Sequence, residues 1–198
     1  MKFSIALQAG GSSTRMGQDK GLVNFQGQTM AGYILDQIDG FGDETYVISN
    51  QPEAYRQFNL PVYVDAMPGM GALGGIYTAL FYAKFDVCLL LACDMPFVNL
   101  PLVEKLIDQS SGYDAVIPRI GTIPRPEPFK AVYRKTCLGP IKESLTGGQL
   151  RIRDFFEDVN VHYFDEEEII KFDPEKLSFT NANTPDELLA AEKAATNL

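Results

Sequence analysis

The sequence predicts one α/β domain over residues 1–198: a single doubly wound, mostly parallel sheet with helices on both faces. Three observations carry this. Short apolar runs alternate with helical patterns as far as residue 118, the order that joins parallel strands through helical crossovers. The run Val87–Ala92 is apolar at every position, as a central strand covered on both faces must be. The first apolar run also opens directly into a glycine-rich turn, and a strand end of that kind is where such sheets hold phosphates.

Taken in order, Phe3–Leu7 reads as the first strand, Thr45–Ser49 as the second and Val62–Val64 as the third. Val87–Ala92 is the strongest, and Ala115–Pro118, Lys130–Tyr133 and Val161–Phe164 follow more weakly. Helical patterns lie between them. Thr29–Ile38 places Ile34, Leu35 and Ile38 on one face, and Gly74–Lys84 is small and apolar enough to be packed closely. Leu100–Asp108 begins behind Asn99, a cap residue, and turns Leu102, Val103, Leu106 and Ile107 inward. The last helix has the clearest start: Thr184-Pro185-Asp186-Glu187 combines a cap, a proline in the first turn and a glutamate at the third position. A hairpin is expected around 119–133, and Asp165–Glu168 reads as a solvated loop or helix start.

Composition bounds the function. At 45% hydrophobic residues, 198 residues can bury a full core. No apolar run approaches the ~18 residues of a membrane span, and the N-terminal pattern is that of a strand, not a signal peptide. Cys88, Cys93 and Cys137 form no CxxC pair, so they read as core thiols of a cytoplasmic protein. The net charge of −9 is uneven, with +6 over residues 119–153. An acidic chain argues against nucleic-acid binding, whereas a local basic stretch suits a small anion. Lys130, Arg134, Lys135 and Lys142 in that stretch are equally compatible with ordinary surface positions.

Acyl transfer and zinc hydrolysis find little support. His162 is the one histidine, and GxSxG, HExxH and cysteine clusters are missing. The aspartates are better placed. Asp94 directly follows the central strand, where a carboxylate can hold Mg²⁺; a cap or loop hydrogen bond is the structural alternative. Asp65 follows the third strand, and both readings are open for it. A second glycine cluster, Pro68-Gly69-Met70-Gly71-Ala72-Leu73-Gly74-Gly75, adds a further ligand wall. The first loop, Gln8 to Lys20, carries Arg15 and Lys20 as mobile cations, but it matches neither GxxxxGK[ST] nor GxGxxG.

Four motifs together resemble the molybdenum cofactor guanylyltransferases, the MobA-like family. They are Ala9-Gly10-Gly11-x-Ser13-x-Arg15-Met16-Gly17-x-Asp19-Lys20; Asp65 with Pro68-Gly69-x-Gly71-x-Leu73-x-Gly75; Cys93-Asp94-Met95-Pro96; and Asn181-x-Asn183-Thr184-Pro185-Asp186-Glu187-Leu188. The resemblance implies a Rossmann-like nucleotidyltransferase fold. It implies nucleotide contacts from Gln8, Ala9, Gly10, Gly11, Lys20, Asn50, Asp65 and Asp94, with Asp94 also holding Mg²⁺ as cofactor. Gly10, where relatives using CTP carry alanine, leans towards guanine. The chain departs from the family at Gln8, usually apolar; at Ala72, usually proline; and at Glu127, often histidine.

The implied reaction transfers GMP from GTP to the terminal phosphate of molybdopterin. Arg15, Lys20 and Asp94 would be the catalytic groups. The second substrate would meet Arg125, Asn181 and Asn183, with Arg151 and Arg153 in secondary places. Implied partners are GTP, molybdopterin and acceptor molybdoenzymes or their chaperones. The alternatives are a CTP- or sugar-phosphate-using enzyme of the same fold, and a non-catalytic adaptor that delivers the cofactor.

Overall fold

The computed structural model describes residues 1–9 and 19–196. Its strands are β1 (Phe3–Gln8), β2 (Asn24–Phe25), β3 (Gln28–Thr29), β4 (Glu44–Ile48), β5 (Val62–Tyr63), β6 (Val87–Ala92), β7 (Ala115–Ile120), β8 (Arg125–Pro126), β9 (Lys130–Arg134) and β10 (Val161–Asp165). The helices are α1 (Met30–Gln37), α2 (Pro52–Tyr55), α3 (Gly71–Tyr82), α4 (Leu100–Asp108), α5 (Leu138–Thr146), α6 (Ile152–Phe155), α7 (Glu166–Ile169) and α8 (Pro185–Ala195). The main sheet runs β10-β7-β9-β6-β1-β4-β5, with β8 paired to β7. β6, β1, β4 and β5 are mutually parallel, as are β7 and β10; β9 runs antiparallel between β6 and β7.

The sheet separates two apolar layers because successive strand residues face opposite sides. Ile5 and Leu7 of β1 and Leu89 and Leu91 of β6 join α1, α4 and α8 on one face. Ala6, Cys88 and Leu90 join α3, α5 and α6 on the other. Each fully buried leucine contributes roughly 1.5–3 kcal/mol, so the all-apolar β6 strand anchors both layers. The three cysteines are free and buried, and burial pushes the Cys88 thiol up to about 12. Among the described residues no helix is long and apolar enough to cross a membrane.

The predicted strands and the helices at 29–38, 100–108 and after Thr184 are present within a residue or two. The expected hairpin appears as antiparallel pairing of β7 with both β8 and β9. Asp165–Glu168 is a helix start, since α7 opens at Glu166. The helix expected over Gly74–Lys84 starts earlier, at Gly71, whose φ of +61° lets the chain turn directly out of the second glycine cluster.

Candidate active site

The four parallel strands β6, β1, β4 and β5 end along one edge of the sheet, and the site grows from what each delivers there. Such an edge, where crossover directions part, leaves a crevice for a ligand. β1 ends in Gln8 and buried Ala9; the Ala9 N–H bonds to the Ile48 carbonyl at 2.9 Å, and the Gln8 carbonyl accepts from the Cys93 N–H at 3.1 Å. These bonds fix the exits of β1, β4 and β6 side by side. The Gln8 side chain reaches α3, where a Cβ on Gly75 would lie 3.3 Å from Oε1, so a bare glycine there makes room for it. Gly10, Gly11 and Arg15 lie outside the described residues.

Lys20 re-enters on a short 3₁₀ turn, Lys20–Leu22, capped by Asp19 through the Gly21 N–H at 3.0 Å. The Tyr55 hydroxyl donates to the same Asp19 oxygen at 2.6 Å. Gly21 is obligatory for this contact: a Cβ would stand 2.3 Å from the Tyr55 hydroxyl. Gly21→Ala is expected to cost about 1–3 kcal/mol, the usual penalty of overpacking, read as a lower urea midpoint. An unchanged midpoint would mean that Tyr55 does not lock the turn.

The turn aims Lys20 at two partners. Its Nζ lies 3.2 Å from Asp94 Oδ2 and also donates to the Asn183 side-chain oxygen. Asp94 arrives from the end of β6, and Asn183 from the segment before α8. The two segments are joined directly, because the Ala182 N–H donates to the Asp94 carbonyl at 2.8 Å. Asn183 therefore divides its roles. Its N–H joins the capping box by donating to Glu187 at 2.8 Å, which leaves its side chain to hold Lys20. Asn181 is exposed beside it.

On the far side, Asn50 and Asp65 meet after β4 and β5. The Asp65 N–H donates to Asn50 Oδ1 at 3.2 Å, and the Thr78 hydroxyl stands 3.3 Å from Asp65 Oδ1. Asp65 thus carries the loop hydrogen bonds of its structural reading and still faces the edge beside Asn50.

Arg125 is exposed on β8 and has no bond to Lys20, Asp94 or Asn183 among the described residues. Arg151 and Arg153, with Leu150, Ile152 and Asp154, line a groove of about 500 Å³ that also includes Ala72 of the second glycine cluster. Glu127 is half-buried, and its Oε1 accepts from the Phe129 N–H at 3.2 Å. Burial raises its pKa and the Asp94 charge adds to this, against the Phe129 N–H and Lys130.

Lys130 overturns the reading of an ordinary surface charge. It is 1% exposed and donates to the backbone carbonyls of Phe97, at 2.6 Å, and of Ser178. Burial lowers its pKa to about 7, opposed by Glu127, Asp173 and Asp94. A lysine opening an apolar strand is the one trace this leaves in the sequence. His162, in β10, lies against Tyr113 with the rings tilted and their centroids 4.8 Å apart, and takes no part in the edge. Cys93 is a buried thiol donating to the Ala9 carbonyl, and burial raises its pKa, so it stays protonated.

Among the described residues no three acidic, histidine or cysteine side chains form a ready metal cage. Mg²⁺ commonly takes only one or two carboxylates and completes its shell with water and substrate phosphates. Asp94 fits that donor set: Lys20 engages Oδ2 alone, and Oδ1 has no protein partner among the described residues.

Parallel strand ends that align amide side chains, a lysine and two carboxylates on one edge make an α/β domain of the nucleotide-handling class. More narrowly, the chain belongs to the MobA-like NTP transferase domain family, whose model matches residues 5–163, and it is a nucleotidyltransferase. It is 36% identical over 189 residues to a Pelotomaculum thermopropionicum protein named "Probable molybdenum cofactor guanylyltransferase", covering 96% of this chain and 91% of that one. The molybdenum cofactor guanylyltransferase of Syntrophotalea carbinolica is 34% identical over 187 residues, covering 93% and 88%. Among solved structures, molybdopterin-guanine dinucleotide biosynthesis protein A from Archaeoglobus fulgidus superposes with a TM-score of 0.85 at 29% identity, covering 98% of this chain and all of that one.

Proposed function

We infer that this protein transfers the guanylyl group of GTP to the terminal phosphate of molybdopterin. The products are the guanine dinucleotide cofactor and pyrophosphate. The observation that carries the reading is the meeting of Lys20, Asp94 and Asn183 at the end of β1, in a chain whose relatives bear guanylyltransferase names.

The chemistry follows from charge. A phosphate oxygen of molybdopterin attacks the α-phosphorus of GTP; the bond to the β-phosphate oxygen breaks and pyrophosphate leaves. The nucleophile is already anionic near neutral pH, so no strong general base is needed. This suits an edge with no histidine. Lys20 offsets charge that develops on the phosphate oxygens, and Arg15 is assigned the same task from its place in the loop. Asn183 holds the Lys20 ammonium in place while Asn181 beside it offers an exposed amide to the pterin, which both donates and accepts. Asp94 would hold Mg²⁺, which supplies charge compensation to phosphates when bound. The reduced, buried thiols support a cytoplasmic setting, and the product would pass to acceptor molybdoenzymes or their chaperones.

The deciding experiment incubates the protein with molybdopterin, Mg²⁺ and GTP, CTP or ATP in turn. The expected result is a guanine dinucleotide with stoichiometric pyrophosphate from GTP alone. A preference for CTP, or binding of molybdopterin with no pyrophosphate from any nucleotide, would sink the reading.

A further inference from the structure

Three carbonyls of buried residues lie next to the site, two of them outside regular structure and the third, that of Ser178, in the short 3₁₀ turn Leu177–Phe179. Met95 and Phe97 belong to the segment that leaves β6 after Asp94, and Ser178 belongs to the segment that leads to Asn181 and Asn183. Unpaired, each would be a costly buried acceptor. One side chain serves all three. Lys130 Nζ lies 3.5 Å from the Met95 carbonyl and 2.6 Å from that of Phe97, and it donates to that of Ser178. In its protonated form the amine has three donors and no acceptor, so its bonding capacity matches this set.

The connection is closed on the other side of the two segments. The Ala182 N–H bonds to the Asp94 carbonyl, and Lys20 bridges Asp94 and Asn183. The charged groups near Lys130 are Glu127, Asp173 and Asp94. Asp173 is itself buried and accepts from the Leu177 and Ser178 N–H groups, which sets the Ser178 carbonyl for the lysine. The Phe179 ring lies 6.0 Å from Nζ and covers it.

We propose that Lys130 is a positioning residue: it fixes the Asp94 segment and the Asn181–Asn183 segment in one register, so that the Asp94 carboxylate, Lys20 and the asparagine amides meet at one edge. It acts beneath the site and touches no substrate. Its effect falls mainly on turnover: Asn50 and Asp65 on the nucleotide side bond each other, while Lys20, held by Asp94 and Asn183, carries a shift of the two segments into binding as a smaller loss. A displacement of about 1 Å in catalytic geometry typically costs on the order of a hundredfold in rate.

The inference rests on the guanylyl-transfer reading for its activity measurement, and the full-length protein tests it. Lys130→Met keeps length and loses charge and donors. The expected result is GTP affinity by calorimetry lowered by less than about tenfold, below the loss expected of Lys20→Ala, a kcat lowered by about a hundredfold, and faster amide exchange confined to residues 94–97 and 178–184. Wild-type kcat, or GTP affinity falling as far as kcat, would overturn it. If the methionine variant does not fold, Lys130→Arg is read by the same split: a kcat lowered by about tenfold or more at unchanged GTP affinity supports the proposal, and unchanged kcat or a parallel loss overturns it. Should the wild type transfer no guanylyl group, the functional reading fails separately. Amide exchange then decides for Lys130 alone, with unchanged exchange in both segments counting against it.

Discussion

Asp94→Ala should reduce guanylyl transfer by about 10²–10³-fold or more, the range seen when one electrostatic group is removed from a reacting phosphate or oxyanion centre, and should leave a folded protein. The fold survives because Asp94 holds its surroundings through its backbone: its carbonyl accepts from the Ala182 N–H at 2.8 Å, and alanine keeps that bond. What disappears is the carboxylate, 23% exposed and 3.2 Å from Lys20. Loss of a partly exposed ion pair costs about 1 kcal/mol or less in stability. Pyrophosphate release at saturating Mg²⁺, with circular dichroism melting on the same sample, separates the two effects. Normal turnover in a folded variant would remove Asp94 from the chemistry.

Lys20→Ala should weaken GTP binding by about tenfold to a hundredfold, as expected for one charge-assisted hydrogen bond of roughly 1.5–3 kcal/mol, and should lower turnover further. In the free protein Lys20 is shared between Asp94 and Asn183. A nucleotide phosphate arriving there adds to, or exchanges with, partners already aligned. The variant leaves Asp94 without its cation and Asn183 without its donor, so its effect exceeds the lost phosphate contact. Calorimetry with GTP reads the binding half, and wild-type affinity would contradict it.

Much of this layout was legible because it rests on local signals. The β6 strand is apolar at each position, the capping box at Thr184 and Glu187 is complete in both directions, and Asp94 follows a strand whose end can be placed to the residue. The rest depended on encounters between distant segments. The β2–β3 hairpin turns on Gln26 and Gly27, at φ values of +51° and +82°, where glutamine stands in place of the asparagine or aspartate that marks such turns. α5 begins Leu138-Gly139-Pro140, which reads as a loop; the proline is tolerated because the first-turn N–H groups have no helical acceptor. Lys130 stood open between a surface charge and an anion-binding one, and is neither, because its partners are carbonyls, which no side-chain pattern reveals. Asn183 could be seen to precede a helix cap, yet nothing local showed that its side chain was spared for Lys20.

The reversed direction of β9 has a consequence for how such an enzyme can diversify. The parallel strands reach the active edge as they end, so each is followed by a crossover that must also pack on the sheet. β9 arrives at that edge as it begins, with the Phe129 carbonyl bonded to the Ala92 N–H at 2.9 Å. The chain before it, residues 121–129, reaches the edge from the antiparallel side, held by the β7–β8 pairing, by the Glu127 N–H on the Pro118 carbonyl at 2.8 Å and by the Gly121 N–H on Glu166 at 2.6 Å. Its exposed turn can lengthen, shorten or change charge without moving Asp94, Gln8 or Asn50.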